Sequence, residues 1–205
     1  MVRIFCIGRN YAEHVRELSN VVPQTPVVFM KPGSCLVRCG EAIRLPKHGH
    51  DLQHEVEVVI RIGKPGRVGS KEGALSWIDA VTVGLDLTLR DVQDELKKRG
   101  LPWEKSKAFD QSAPIGEFVS CDGTIDLNDI SFTCRVNGVE RQRGCTRDMI
   151  FSFETLLVEL SAIWSLQPGD LVFTGTPSGV GSLAADDTVE IQGERIGAFS
   201  WKIVA

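Results

Sequence analysis

The decapeptide Gln53-His54-Glu55-Val56-Glu57-Val58-Val59-Ile60-Arg61-Ile62 alternates with a period of two. His54, Val56, Val58, Ile60 and Ile62 fall on one side of an extended chain, and Glu55, Glu57, Val59 and Arg61 on the other. A β-strand is expected over residues 53–62, its apolar side turned to a core. Two carboxylates two residues apart on a strand repel each other unless water or a cation lies between them. A hard divalent ion takes several carboxylate and water oxygens. The plainer alternative is an amphipathic strand with a wet Glu-Glu-Arg side.

Working outward, residues 78–89 form a second strand pattern. Val81, Val83, Leu85 and Leu87 face one way, and Thr82, Gly84, Asp86 and Thr88 the other. Aspartate is a poor strand former, so Asp86 in mid-strand is out of place. With Glu55 and Glu57 it would complete a carboxylate triad for Mg²⁺ or Mn²⁺; a solvated strand end is the simpler reading. Thr88 is placed to cap a helix running to residue 99, with Gly100 as its stop.

Residues 2–8 read as a short apolar strand. Asn10 and Glu13 then suggest a capped helix over 11–18. His14 and Glu17, three apart, share a face of that helix. An imidazole oriented by a carboxylate is a general base, and is also common surface decoration. Residues 21–26 carry two prolines and read as extended; residues 27–30 are a strand closed by Lys31-Pro32-Gly33. Asn137-Gly138 reads as a hairpin turn. Residues 153–164 form an amphipathic helix with Leu156, Leu157, Leu160, Ile163 and Trp164 on its apolar side. The total is strand-rich with three helices, a mainly β, mixed (α+β) architecture.

Lys31, Arg90 and Lys107 are candidate anion contacts. Residues 103–110 have no regular period and are expected to be a loop with solvated lysines. The loop Thr174-Gly175-Thr176-Pro177-Ser178-Gly179-Val180-Gly181 would offer backbone N–H groups and a hydroxyl to an anion. It has neither the P-loop ending nor the nucleophile-elbow pattern.

The 205 residues fit one domain, and 42% hydrophobic content suffices for a core. A net charge of −4 with no basic stripe gives no sign of a nucleic-acid partner. No apolar run approaches the ~18 residues of a spanning helix, so no membrane partner is expected. Residues 1–10 lack the apolar stretch of an export signal. The six cysteines contain no C-x-x-C, which favours reduced thiols in a cytoplasmic setting and gives zinc no ligand cluster.

Six ordered motifs are similar to those of the fumarylacetoacetate hydrolase family. They are Gly8-Arg9-Asn10-Tyr11-Ala12-Glu13-His14, Phe29-Met30-Lys31-Pro32, His54-Glu55-Val56-Glu57, the segment from Leu85 to Gln93, the segment from Pro102 to Asp110, and the loop from Thr174 to Gly181. The resemblance spans nearly the whole chain and is nearest to the short, single-domain acylpyruvases and oxaloacetate decarboxylases. It implies a mixed β-sandwich-like roll, residues 1–205 as one catalytic domain with a lid helix around 11–18, and a homodimer. It implies Glu55, Glu57 and Asp86 as ligands of Mg²⁺, with Mn²⁺ or Ca²⁺ as alternatives. It implies His14 and Glu17 as a catalytic dyad and Lys107 as a catalytic lysine, with Lys31, Arg90, Gln93 and Thr176 near a small α-keto or 1,3-diketo acid. The expected activity is acylpyruvate hydrolysis at a carbon–carbon bond. Oxaloacetate decarboxylation or keto–enol tautomerisation at the same residues is the alternative, and a non-enzymatic metal-binding scaffold a more distant one.

Overall fold

The computed structural model describes residues 2–205. An eight-stranded sheet runs in the order Val27–Pro32, Arg3–Gly8, Leu171–Phe173, Val56–Ile62, Ile78–Leu85, Ala113–Ile115, Leu36–Arg38, with Val119–Ser120 also paired to Ile78–Leu85. A five-stranded sheet comprises Val139–Cys145, Ser131–Val136, Thr188–Gly193, Gly197–Val204 and Ile43–Arg44. A small third sheet joins Gly181–Ser182, Leu52–His54 and Thr88–Leu89.

The main core lies between the two larger sheets. Val56, Val58, Ile60 and Ile62 meet Phe132, Val189, Ile191 and Trp201 in it. The opposite side is buried too: Val59 packs with Ile4, Cys6 and Phe173 in a second cluster. The strand at residues 56–62 is therefore covered on both faces, and the expected wet side is absent near Glu55 and Glu57, both buried. Four α-helices accompany the sheets: α1 (Ala12–Glu17), α2 (Arg90–Lys98), α3 (Glu104–Lys107) and α4 (Phe153–Ile163). No helix among the described residues is long and apolar enough to cross a membrane. All six cysteines are free.

Several local expectations change. The expected strand 53–62 is broken at Glu55 and the strand 78–89 at Asp86-Leu87; the two carboxylates leave the ladder at facing points. Tyr11, not Asn10, precedes α1 as its cap residue. The Asn10 side chain instead donates to Thr174 O (2.8 Å) and accepts from Phe151 N (2.7 Å). Leu89, not Thr88, precedes α2, because the Thr88 hydroxyl is turned inward to Lys107 Nζ (2.6 Å). Residues 104–107 form a helical turn rather than a loop, one turn being too short to show a period. Ile163 is 62% exposed, since α4 ends there and Trp164 turns away to stack on Phe5 at 5.2 Å. The hairpin at Asn137-Gly138 is present, with φ of 52° and 77° as a primed turn requires.

Candidate active site

The pairing register builds the site. In the antiparallel pair, Val56 faces Leu85, and the next step outward brings Asp86 N to Glu55 O at 2.9 Å. Glu55, Glu57 and Asp86 each contribute an oxygen, and these oxygens lie within 4.8 Å of one another. Slipping the register by one residue would send Asp86 to the other face.

Three cations surround the carboxylates unevenly. Lys107 Nζ donates to Glu55 Oε2 and Asp86 Oδ2, both at 2.7 Å. Arg90 donates to Glu55 Oε1 and Gln93 Oε1 (2.6 Å), and through Nε to Gln53 (2.9 Å). Burial alone would raise Glu55, but Lys107 and Arg90 outweigh it and hold its carboxyl well below the carboxylate range. Burial would likewise lower Lys107, yet Asp86 and Glu55 together raise it. Glu57 has no such cation; its Oε2 accepts from Gly175 N at 2.8 Å. Burial, and then the Asp86 charge, push Glu57 well above its ordinary value.

Lys31 lies beneath, fully buried, with Nζ 2.8 Å from Asp86 Oδ1. The ammonium also donates to Ser112 O (2.6 Å) and Leu87 O (3.2 Å), so its charge is held against Asp86 from beneath. A buried carboxylate lacking a cation, Glu57, within an all-carboxylate set whose oxygens lie within 4.8 Å of one another fits a hard divalent ion.

His14 is buried on α1 and lines the same cavity as Glu55, Glu57, Arg90, Gln93, Lys107 and Thr176. The cavity is small, about 30 Å³, with room for an ion or a water. Glu17 Oε2 stands 3.2 Å from His14 Nδ1, and its other oxygen accepts from Gly179 N at 2.9 Å. Burial lowers the His14 pKa, against Glu55 and Glu17, which raise it; the neutral imidazole is favoured. Lys31, Asp86 and Glu17 do not line the cavity themselves; each touches a residue of the site.

The sequence reading passed over Arg9, Lys97 and Trp103, which also line the cavity. For Lys97 a signal existed: Arg90, Gln93 and Lys97 are spaced i, i+3, i+7 and share one helix face. Arg9 sits at a positive φ of 62° between strand and helix, where no periodic pattern reaches it.

The sequence model of the fumarylacetoacetate (FAA) hydrolase C-terminal family matches residues 3–204. The chain belongs to this family. It is similar to an oxaloacetate tautomerase of Bos taurus mitochondria, at 40% identity over 199 residues, 97% of this chain and 89% of that one. An oxaloacetate tautomerase of Escherichia coli (strain K12) is 40% identical over 190 residues, 92% of this chain and 87% of that one. The crystal structure of a fumarylpyruvate hydrolase from Pseudomonas aeruginosa, in complex with Mn²⁺ and pyruvate, superposes with a TM-score of 0.94 at 35% identity, covering 98% of this chain and 89% of that one. The mainly β fold expected of the family is the fold observed, and the named relatives are enzymes.

Proposed function

We propose that this chain is a divalent-metal-dependent enzyme acting on small α-keto acids through their enolates, with oxaloacetate keto–enol tautomerisation as its first reaction. The observation that carries the reading is the convergence of Glu55, Glu57 and Asp86 on one point, where the two glutamates line a cavity with His14 and Lys107. Oxaloacetate tautomerisation stands ahead of acylpyruvate hydrolysis because the two curated relatives named above share that activity at 40% identity. Hydrolysis is the second reading, favoured by a dyad able to activate water and by the fumarylpyruvate hydrolase likeness. Oxaloacetate decarboxylation would use the same residues. A bare metal-binding scaffold would have no use for the buried dyad histidine.

Glu55, Glu57 and Asp86 would hold Mg²⁺ or Mn²⁺; Ca²⁺ prefers more oxygens than the three carboxylates supply. An ion bound there supplies a Lewis acid for the α-keto oxygen. Arg90 and Gln93, on one helix face, would take the substrate carboxylate through their N–H groups. Lys107 places positive charge where the enolate develops. His14, neutral and oriented by Glu17, takes a proton from C3 of the keto form. The C3–H electrons become the C2=C3 bond, and the proton is passed to the C2 oxygen. In hydrolysis the same imidazole takes its proton from a water attacking the distal carbonyl; the carbon–carbon bond then breaks and its electrons leave as pyruvate enolate.

The test follows the ultraviolet absorbance of enol-oxaloacetate, and in parallel acetylpyruvate cleavage and CO₂ release from oxaloacetate, with Mg²⁺, with Mn²⁺ and with EDTA. Metal-dependent acceleration of the first supports the reading. No acceleration of any of the three reactions with Mg²⁺ or Mn²⁺ overturns it.

A further inference from the structure

Gln142 belongs to the strand Val139–Cys145 of the five-stranded sheet, which carries none of the residues assigned to the site. It is 1% exposed, and its side chain makes four hydrogen bonds. Oε1 accepts from His54 Nδ1 (2.8 Å) and Val56 N (3.1 Å). Nε2 donates to Thr176 Oγ1 (2.8 Å) and Pro177 O (2.9 Å). Val56 N–H can only donate and Pro177 C=O only accept, so the orientation of the amide is forced.

The place of these bonds matters. Val56 lies between Glu55 and Glu57. One edge of its strand pairs with Ile78–Leu85; the other pairs with Leu171–Phe173 only at Val59, Ile60 and Arg61. Beyond Phe173 that edge would be bare. Thr174 closes it at Val58 O, with N at 3.2 Å and Oγ1 at 2.8 Å, and Thr176 Oγ1 donates to Val56 O at 2.9 Å. Gln142 supplies the remaining acceptor, for Val56 N. Both polar groups of the residue joining the two glutamates are thus held by Gln142 and by the threonine that Gln142 itself grips. The same loop presents Gly175 N to Glu57.

We infer that Gln142 is a positioning residue for the metal site: it sets the directions of Glu55 and Glu57, and seats the 174–177 loop against them, from the opposite sheet. This rests on the metal reading above. Networks beyond the ligands commonly change metal affinity about 10–100-fold when broken.

The experiment measures Mn²⁺ affinity by calorimetry on the full chain. Gln142→Met keeps the length and removes all four bonds. Gln142→Glu keeps the shape and both acceptor bonds but loses the donors to Thr176 and Pro177. Each should bind Mn²⁺ about 10–100-fold more weakly. Thr176→Val should weaken binding less than additively when combined with Gln142→Met. A core variant on the same sheet, Ile191→Val, is the control for lost stability and should bind Mn²⁺ as wild type does. Wild-type protein that fails to bind Mn²⁺ sinks the metal reading. Wild-type binding with either Gln142 variant unchanged sinks only the role of Gln142. Should neither variant fold, amide exchange decides: Mg²⁺ should slow exchange at Val56 N–H in wild-type protein, and no change there overturns the inference.

Discussion

His14 is buried with a lowered pKa, and this sets the sign of its pH dependence. The neutral imidazole is the base, so activity at saturating metal should rise with pH, with its midpoint below the ordinary histidine value of about 6.5. His14→Ala should lower turnover about 10²–10⁴-fold and leave Mn²⁺ affinity nearly unchanged, as read by steady-state kinetics and calorimetry. Near-full activity in that variant would reduce His14 to a covering residue. Lys107 supports a different prediction. Its ammonium is the shared partner of Glu55 and Asp86, and removing one partner from a buried cluster leaves uncompensated charge. Lys107→Met should destabilise the metal-free protein by roughly 3–5 kcal/mol in urea melts. Saturating Mg²⁺ should restore part of that loss, because the ion neutralises the same oxygens; an unchanged melt would mean that the pair is energetically idle.

At the scale of elements, the site depends on where two strands stop and one loop turns. Gly175 has a φ of 103°, and a Cβ there would lie 2.6 Å from Asn10 Cβ. Gly175→Ala should therefore cost about 1–3 kcal/mol in backbone strain and weaken Mn²⁺ binding, since the loop must shift the N–H that Glu57 accepts. Stability loss with unaltered Mn²⁺ affinity would separate the loop from the site. Helix α1 is tied down on its outer side by Glu17, which bonds both His14 and Gly179 N. Gly179, at φ 95° and with a Cβ that would meet Arg141 O at 2.0 Å, tolerates no side chain at that anchor. Glu17→Gln offers one acceptor where Glu17 accepts from both Gly179 N and His14 Nδ1; with its oxygen on Gly179, its amide would donate to Nδ1 and fix the tautomer that cannot act as base, so turnover should fall toward that of His14→Ala.

For the whole molecule, metal binding and folding are linked. In the metal-free fold burial, and then the Asp86 charge, raise the Glu57 pKa. A raised pKa in the folded state contributes stability below the unfolded carboxylate value and loses it as pH rises through the folded value. Metal competes with a proton for that carboxylate, so Mg²⁺ affinity should rise with pH. At a hundredfold excess over its dissociation constant, Mg²⁺ should raise the melting temperature by roughly 5–10 °C, by differential scanning fluorimetry. An increment that shrinks with rising pH would contradict a raised Glu57 pKa. The chain is also proposed to form a homodimer, as the family resemblance implies; light scattering should report twice the chain mass, and a stable monomer would count against it.

The amino-acid order alone determined the strand-rich class, because alternation of Val and Ile with other residues is a local property of an extended chain. It also pointed to the carboxylates: Glu55 and Glu57 by their spacing, Asp86 by being misplaced in an apolar run. The ordered motifs carried the family. What it left open was which of these groups are buried together. Lys107 read as a solvated loop residue, and Thr88 as a helix cap, because local pattern cannot show that both turn inward to meet. Gln142 gave no signal at all: a glutamine between two arginines on a hairpin is ordinary in sequence. Only the stacking of the two sheets brings it to Val56, eighty-six residues away. Burial then gives these groups their meaning, since a carboxylate without a cation or an amide with four partners matters only where water cannot take their place.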